Sequence, residues 1–214
     1  MEGNYQYLPF KAQGRYAILG SLSSDTSKVL FVFHGQGQLA RYFIQKFKSL
    51  VSQGYTIIAP EGLHHYYLQG FSGRVGASWM TSENRLVAIA NYISFLDRAY
   101  QDVKRKASPS VKLHLLGFSQ GAATASRWIE QSKFDFEQLI LWGGALPPDL
   151  NKEKILGRMK NNKLIQVIGK KDPYMNADKI NELKGLVNNY QLSADYRMHE
   201  GGHDIEATVL KELF

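Results

Sequence analysis

Five residues, Gly117-Phe118-Ser119-Gln120-Gly121, carry the densest potential chemistry in this 214-residue chain. An apolar run at 111–116 leads into them and Ala122-Ala123 follows. That pattern reads as strand, tight turn and helix, with Ser119 at the apex. A serine so placed lifts its hydroxyl out of the sheet edge, where it can attack an acyl carbonyl. Gly117 and Gly121 lack a Cβ, so strand and helix can approach closely on either side of the bend. The backbone N–H of Gln120, at the start of the helix, faces any oxygen that becomes negative beside Ser119. On this reading Gln120 acts through its backbone, and its side chain is more replaceable than Ser119.

A serine hydroxyl is a weak nucleophile at neutral pH. It needs a base within hydrogen-bond reach, and that base needs a carboxylate to fix its tautomer. The chain has six histidines. His34 opens a Gly-Gln-Gly turn ahead of the serine, His114 sits inside a strand, and His64 and His65 lie in a long segment. His203 follows Gly201-Gly202 just past a strand, where the backbone can place a side chain over the sheet edge. It is the favoured base, with His199 and the pair His64 and His65 as alternatives. Asp135, Asp149, Asp172, Asp178 and Asp195 all fall between Ser119 and His203. Only Asp172 lies just past an apolar strand, and Pro173 biases it toward extended backbone in a loop. The turn His34-Gly35-Gln36 supplies a candidate second oxyanion donor, the N–H of Gln36.

The elements that must position these residues are legible as periodicities. Lys28–Phe33 is a continuous apolar run, as in a strand buried on both faces. Segments 55–59 (stopped by Pro60), 111–116, Gln138–Trp142, Lys163–Gly169 and 194–199 read as further strands. Residues 5–10 and 15–22 predict an edge hairpin. Helices are expected over 39–52 (apolar contacts Tyr42, Phe43, Phe47, Leu50 and Val51), after Ser119, over 176–189 and from Asp204. Another begins after a Thr81 cap, with Leu86, Ile89, Ile93, Leu96, Tyr100 and Val103 on one face. Residues 61–78 read as a long irregular loop, one wall of a substrate cleft with Tyr66, Tyr67 and Phe71 as contacts. Strands alternating with helices predict an α/β fold with a mostly parallel sheet, one domain over 1–214. Ligands then bind beyond the carboxyl ends of the strands, after Phe33, Leu116, Ile168 and Met198.

Composition narrows the function classes. The net charge of +7 is scattered over separate elements with no nucleic-acid motif, which argues against a nucleic-acid partner. The absence of cysteine removes disulfides, thiolate metal ligands and a cysteine nucleophile together. No signal-peptide pattern opens the chain and no run approaches a membrane span, so the expectation is a cytoplasmic protein without stable membrane insertion.

Phe-His-Gly-Gln-Gly-Gln (33–38), Gly-Phe-Ser-Gln-Gly (117–121), Gly-Lys-Lys-Asp-Pro (169–173) and Gly-Gly-His-Asp (201–204) together resemble the α/β-hydrolase fold. More narrowly they resemble its phospholipase/carboxylesterase branch, the small esterases related to acyl-protein thioesterases. Ser-Trp-Met (78–80) is similar to that branch's Trp-Phe segment and adds Trp79 to the candidate substrate contacts. The resemblance implies a central sheet flanked by helices without a large cap domain. It implies Ser119 as nucleophile, Asp172 as orienting acid and His203 as base, with no cofactor and no metal. Gln36 departs from the apolar residue usual in the branch. A backbone donor survives that change, while the adjoining pocket becomes more polar. The expected substrate is a small-molecule acyl ester cleaved through an acyl-enzyme. A thioester or lysophospholipid cleaved by the same groups, and a non-catalytic binding protein, are the alternatives.

Overall fold

Residues 5–214 are described by a computed structural model. In chain order the strands are β1 (Tyr16–Leu19), β2 (Lys28–Phe33), β3 (Thr56–Pro60), β4 (His64–Tyr67), β5 (Val75–Ser78), β6 (Lys112–Phe118), β7 (Gln138–Trp142), β8 (Lys163–Gly169) and β9 (Asp195–His199). Seven of them form one sheet in the order β1-β3-β2-β6-β7-β8-β9, and β4 pairs with β5 alone. Every neighbour in the large sheet is parallel except β1 against β3. The carboxyl ends of β3, β2, β6, β7, β8 and β9 therefore open on the same edge, the edge that carries Ser119, Asp172 and His203.

The helices are α1 (Ala40–Phe43), α2 (Lys48–Val51), α3 (Arg85–Lys106), α4 (Gln120–Gln131), α5 (Lys152–Met159), α6 (Ala177–Asn189) and α7 (Ala207–Glu212). Side chains alternate across the sheet, so β2 feeds both cores. Val29, Phe31 and Phe33 join Leu115, Leu141 and the buried stripes of α3 and α4. Leu30 and Val32 join Leu116, Ile140, Val167 and residues of α1, α2 and α7 on the other face. Two covered faces are why β2 and β7 are apolar through their interiors, while in β8 the buried Gln166 interrupts the run and donates to the Leu141 and Gly144 carbonyls.

Several expectations need correction. Residues 5–15 form no strand, and β1 pairs with β3 instead of closing a hairpin with 5–10. The strand does end at Pro60, which is itself the last residue of β3, opposite Tyr16. The single helix expected over 39–52 is split by a 3₁₀ turn at Ile44–Phe47. The tighter turn lets Phe43, Ile44, Phe47 and Leu50 all reach the sheet, while Tyr42 stays exposed. Thr81 does not cap α3. Asn84 in the left-handed region (φ 49°) starts it, a conformation asparagine tolerates. The α3 stripe is buried from Ile89 onward, but Leu86 is exposed. Residues 61–78 are not an irregular loop: β4 and β5 make an antiparallel hairpin with His64 opposite Ser78. Helix α5 has no counterpart among the expected helices; its start is capped by Asn151, whose Oδ1 accepts the Lys154 N–H. The last helix begins at Ala207, where the Glu206 carboxylate accepts the N–H groups of Thr208 and Val209.

Candidate active site

Ser119 joins β6 to α4 with φ 53° and ψ −118°. A non-glycine residue there stores on the order of 1–3 kcal/mol of backbone strain and persists only where its surroundings enforce it. Those surroundings are visible. The Ser119 N–H donates to the Trp142 carbonyl at 2.9 Å, and its carbonyl accepts from the Ala122 N–H at 3.0 Å. A Cβ on Gly117 would run into the Gly121 carbonyl and Ala122, and one on Gly121 into the Phe33 carbonyl. The two glycines are thus required by close packing of β6, α4 and β2.

His203 and Asp172 meet beside this bend. The His203 Nδ1–H donates to Asp172 Oδ2 at 2.6 Å, and Asp172 Oδ1 accepts the Tyr174 N–H at 2.9 Å. The Asp172 side chain is 1% exposed and that of His203 19%, so the pair is shielded while the imidazole keeps one side open. Phe118 and Tyr174 hold the ring, with centroids 4.7 and 4.9 Å from it. Gly143, at φ +56°, lies so close that a Cβ would stand 3.1 Å from His203 Nδ1.

The other candidates sit elsewhere. His199 is buried against Trp142 and its Nδ1 accepts the Gly201 N–H. His65 bonds Glu61, and His64 lies in the hairpin strand β4. Asp149 is bound by Arg127 and Arg85 rather than by a histidine. Burial alone would raise its pKa, but the two guanidinium groups outweigh that and hold it below the usual carboxylate value. Asp195 pairs with Arg197, and Asp178 lies in the first turn of α6.

The turn after β2 approaches Ser119 closely: a Cβ on Gly35 would stand 3.2 Å from the Ser119 Cβ. Within that turn the N–H of Gly35 donates to Gln38 Oε1 at 2.9 Å. Those of Gly37 and Gln38 donate to the carbonyls of Ala77 (2.8 Å) and Gly35 (3.2 Å). Of the four, only the Gln36 N–H has no acceptor among the described residues. The Gln120 N–H opens α4, where a helix leaves its first donors unused. The N–H groups without an acceptor among the described residues thus include those of Gln36, next to Gly35, and Gln120, next to Ser119.

Two residues around this turn have roles the sequence did not suggest. His34 is fully buried. Its Nδ1–H donates to the Gly35 carbonyl at 2.8 Å and its Nε2 accepts the Gly62 N–H at 2.9 Å. Burial pushes its pKa down to about 4, which keeps the ring neutral with one donor and one acceptor as those bonds require. Trp79, expected among the substrate contacts, is instead wholly buried. It stacks on His34 at 5.0 Å and donates its indole N–H to the His34 carbonyl. Its width fills space behind the turn and leaves no face for a substrate.

The Gln120 side chain is also engaged, contrary to the expectation that only its backbone matters. Its Oε1 accepts the Trp79 N–H at 3.0 Å and its Nε2 donates to the Met80 carbonyl at 2.8 Å. It straps the 78–80 segment to the helix that starts at the serine. The hairpin places Tyr66 beside Gly37, where a Cβ would stand 3.4 Å from the Tyr66 hydroxyl. Tyr67 is half-exposed, and Phe71, between the two strands, is 97% exposed. Among the described residues no group of three or more His, Asp and Glu could hold a metal ion, and no helix is long and apolar enough to cross a membrane.

No curated protein matches the chain by sequence. A family model described as serine hydrolase (FSH1) matches residues 23–208. Among solved structures, Zea mays acyl-protein thioesterase 2 is similar at a TM-score of 0.71 and 16% identity, covering 94% of this chain and 96% of that one. A Mesorhizobium loti carboxylesterase is similar at 0.67 and 16%, covering 94% and 93%. A phospholipase/carboxylesterase from Dyadobacter fermentans is similar at 0.63 and 16%, covering 96% of each. At such identities these neighbours establish the fold, that of the small α/β-hydrolases without a large cap. The family model spans most of the chain, and the chain belongs to the serine hydrolase (FSH1) family.

Proposed function

We propose that this serine hydrolase cleaves small-molecule carboxylic esters through Ser119, His203 and Asp172. The observation that carries the reading is the 2.6 Å bond from His203 Nδ1 to the buried Asp172, next to a serine held in a strained turn. Asp172 fixes the proton on Nδ1, so Nε2 is free to accept the Ser119 proton as Oγ attacks the carbonyl carbon. The carbonyl oxygen becomes negative and takes hydrogen bonds from the Gln36 and Gln120 N–H groups. His203 returns the proton to the departing alcohol, leaving an acyl-serine. Water then attacks that ester with His203 as base, the acid leaves, and Ser119 recovers its proton. All the groups come from loops of one sheet, in keeping with a single domain over 1–214.

The test is turnover of p-nitrophenyl acetate together with labelling by a fluorophosphonate. Ser119→Ala is expected to lose both while keeping its fold. Full turnover by that variant would sink the reading. Failure of the folded wild type to be labelled or to turn over ester would favour a binding protein on the same fold. A matched panel of esters and thioesters sharing one acyl group separates the two bond types.

A further inference from the structure

Glu61 follows β3 and has no part in the chemistry above, yet its carboxylate is 3% exposed. Its Oε1 accepts from Arg15 Nε at 2.6 Å and from His65 Nε2 at 2.8 Å. Its Oε2 accepts the Ala40 N–H at 2.9 Å. Arg15 is largely exposed and His65 partly so, and with Glu61 they line a cavity of about 310 Å³. The carboxylate is therefore clamped from a wet side and spends its other oxygen inward.

What it grips there is one end of the oxyanion-binding turn. The turn runs from His34 at the end of β2 to Ala40 at the start of α1. Both ends rest on the two residues after β3. Ala40 hangs on Glu61 Oε2, and His34 Nε2 accepts from the Gly62 N–H at 2.9 Å. His34 Nδ1–H then holds the Gly35 carbonyl at 2.8 Å. In a trans peptide the carbonyl and the following N–H point in opposite directions. Fixing the Gly35 carbonyl thus aims the Gln36 N–H, the free donor of the turn.

We propose that Glu61 is a positioning residue for the oxyanion turn: with Gly62 it forms the abutment that aims the Gln36 N–H at the reacting carbonyl oxygen. The inference rests on the reading of Gln36 as an oxyanion donor. A hydrogen-bond acceptor at Oε2 is the requirement. A purely structural Glu61 would tie β1 to β3 through Arg15 and leave the turn indifferent to its removal.

The experiment measures kcat and KM on p-nitrophenyl acetate and Ki for an alkyl boronic acid, which bonds to the serine and presents an oxygen to the same donors. Glu61→Ala is expected to lower kcat by about 30-fold, short of the roughly 100- to 1,000-fold of deleting an oxyanion donor outright. KM stays within about threefold, and boronic acid affinity falls in the same proportion as kcat. Glu61→Gln keeps an acceptor for the Ala40 N–H and is expected to restore at least a third of the rate. Ala40→Pro removes that N–H at the first helical position, where proline is tolerated, and reads out the same bond if Glu61→Ala does not fold. Its expected loss runs in the same direction. A folded Glu61→Ala or Ala40→Pro with wild-type kcat overturns the proposal, as does a fall in kcat with unchanged boronic acid affinity. Turnover surviving in Ser119→Ala would instead overturn the serine reading beneath it.

Discussion

Replacing Asp172 by Asn tests the charge logic of the site with almost no change in shape. Asp172 Oδ1 accepts the Tyr174 N–H and Oδ2 accepts from His203. An amide has one oxygen and one NH₂, and the backbone N–H of Tyr174 can only be met by the oxygen. The NH₂ must then face His203 Nδ1, which becomes an acceptor. The imidazole proton moves to Nε2, where on the proposed mechanism it blocks acceptance of the Ser119 proton. Removing the matching charge from such a triad costs about 10⁴ in kcat, or roughly 5 kcal/mol of barrier. The assay is steady-state hydrolysis of p-nitrophenyl acetate at pH 8, with thermal melting to show that the fold survives. The expected result is a fall of at least a thousandfold in kcat, KM within a few-fold, and little change in melting temperature. Retention of more than a tenth of wild-type kcat by folded Asp172→Asn would refute the assignment of Asp172 as the group that fixes the His203 tautomer.

Gly143→Ala places a Cβ at φ +56° and 3.1 Å from the His203 ring. It is expected to cost about 1–2 kcal/mol of stability and tenfold or more in kcat, read by urea unfolding and turnover. Gln120→Ala severs the strap to Ser78, Trp79 and Met80. We expect about 1–3 kcal/mol of destabilisation with a fall in kcat, and an unchanged melting point would count against the strap. His34 and His114 both have pKa values pushed down to about 4 by burial, against about 6.5 unfolded. Below pH 6.5 the unfolded chain takes up protons that the folded one refuses. Their stabilisation is therefore complete above about pH 6.5 and is lost as pH falls toward 4, by about 3 kcal/mol for His34. Chemical unfolding at pH 7 and pH 4.5 measures that slope. His114→Phe removes one titration and a buried Nδ1 without a partner among the described residues, beside the rings of Tyr55 and Phe214. That variant is expected to lose less stability on acidification than the wild type.

Local sequence determined the strands that carry the site. Lys28–Phe33, Gln138–Trp142 and Lys163–Gly169 form as read, because a strand covered on both faces is apolar at most of its positions and so announces itself. The serine turn was legible for a related reason: its glycines are demanded by backbone contacts a few residues away or across one neighbouring strand. The pairing of His203 with Asp172 was inferable only as one choice among several, since nothing in either segment states that two loops 31 positions apart will meet.

Tertiary structure alone decided the rest. Polar and aromatic residues at 61–78 show no two-residue alternation because both faces of His64–Tyr67 are exposed, so the hairpin could not be read as strands. The partner of β1 is β3, some forty positions on, rather than its sequence neighbour. Trp79, His34 and Glu61 look like substrate-facing, catalytic or loop residues in one dimension. In three dimensions they stack and bond behind a single turn, and only that packing reveals which backbone N–H is left free. A hydrogen-bond donor without an acceptor is a property of the whole neighbourhood, and no stretch of sequence encodes it by itself.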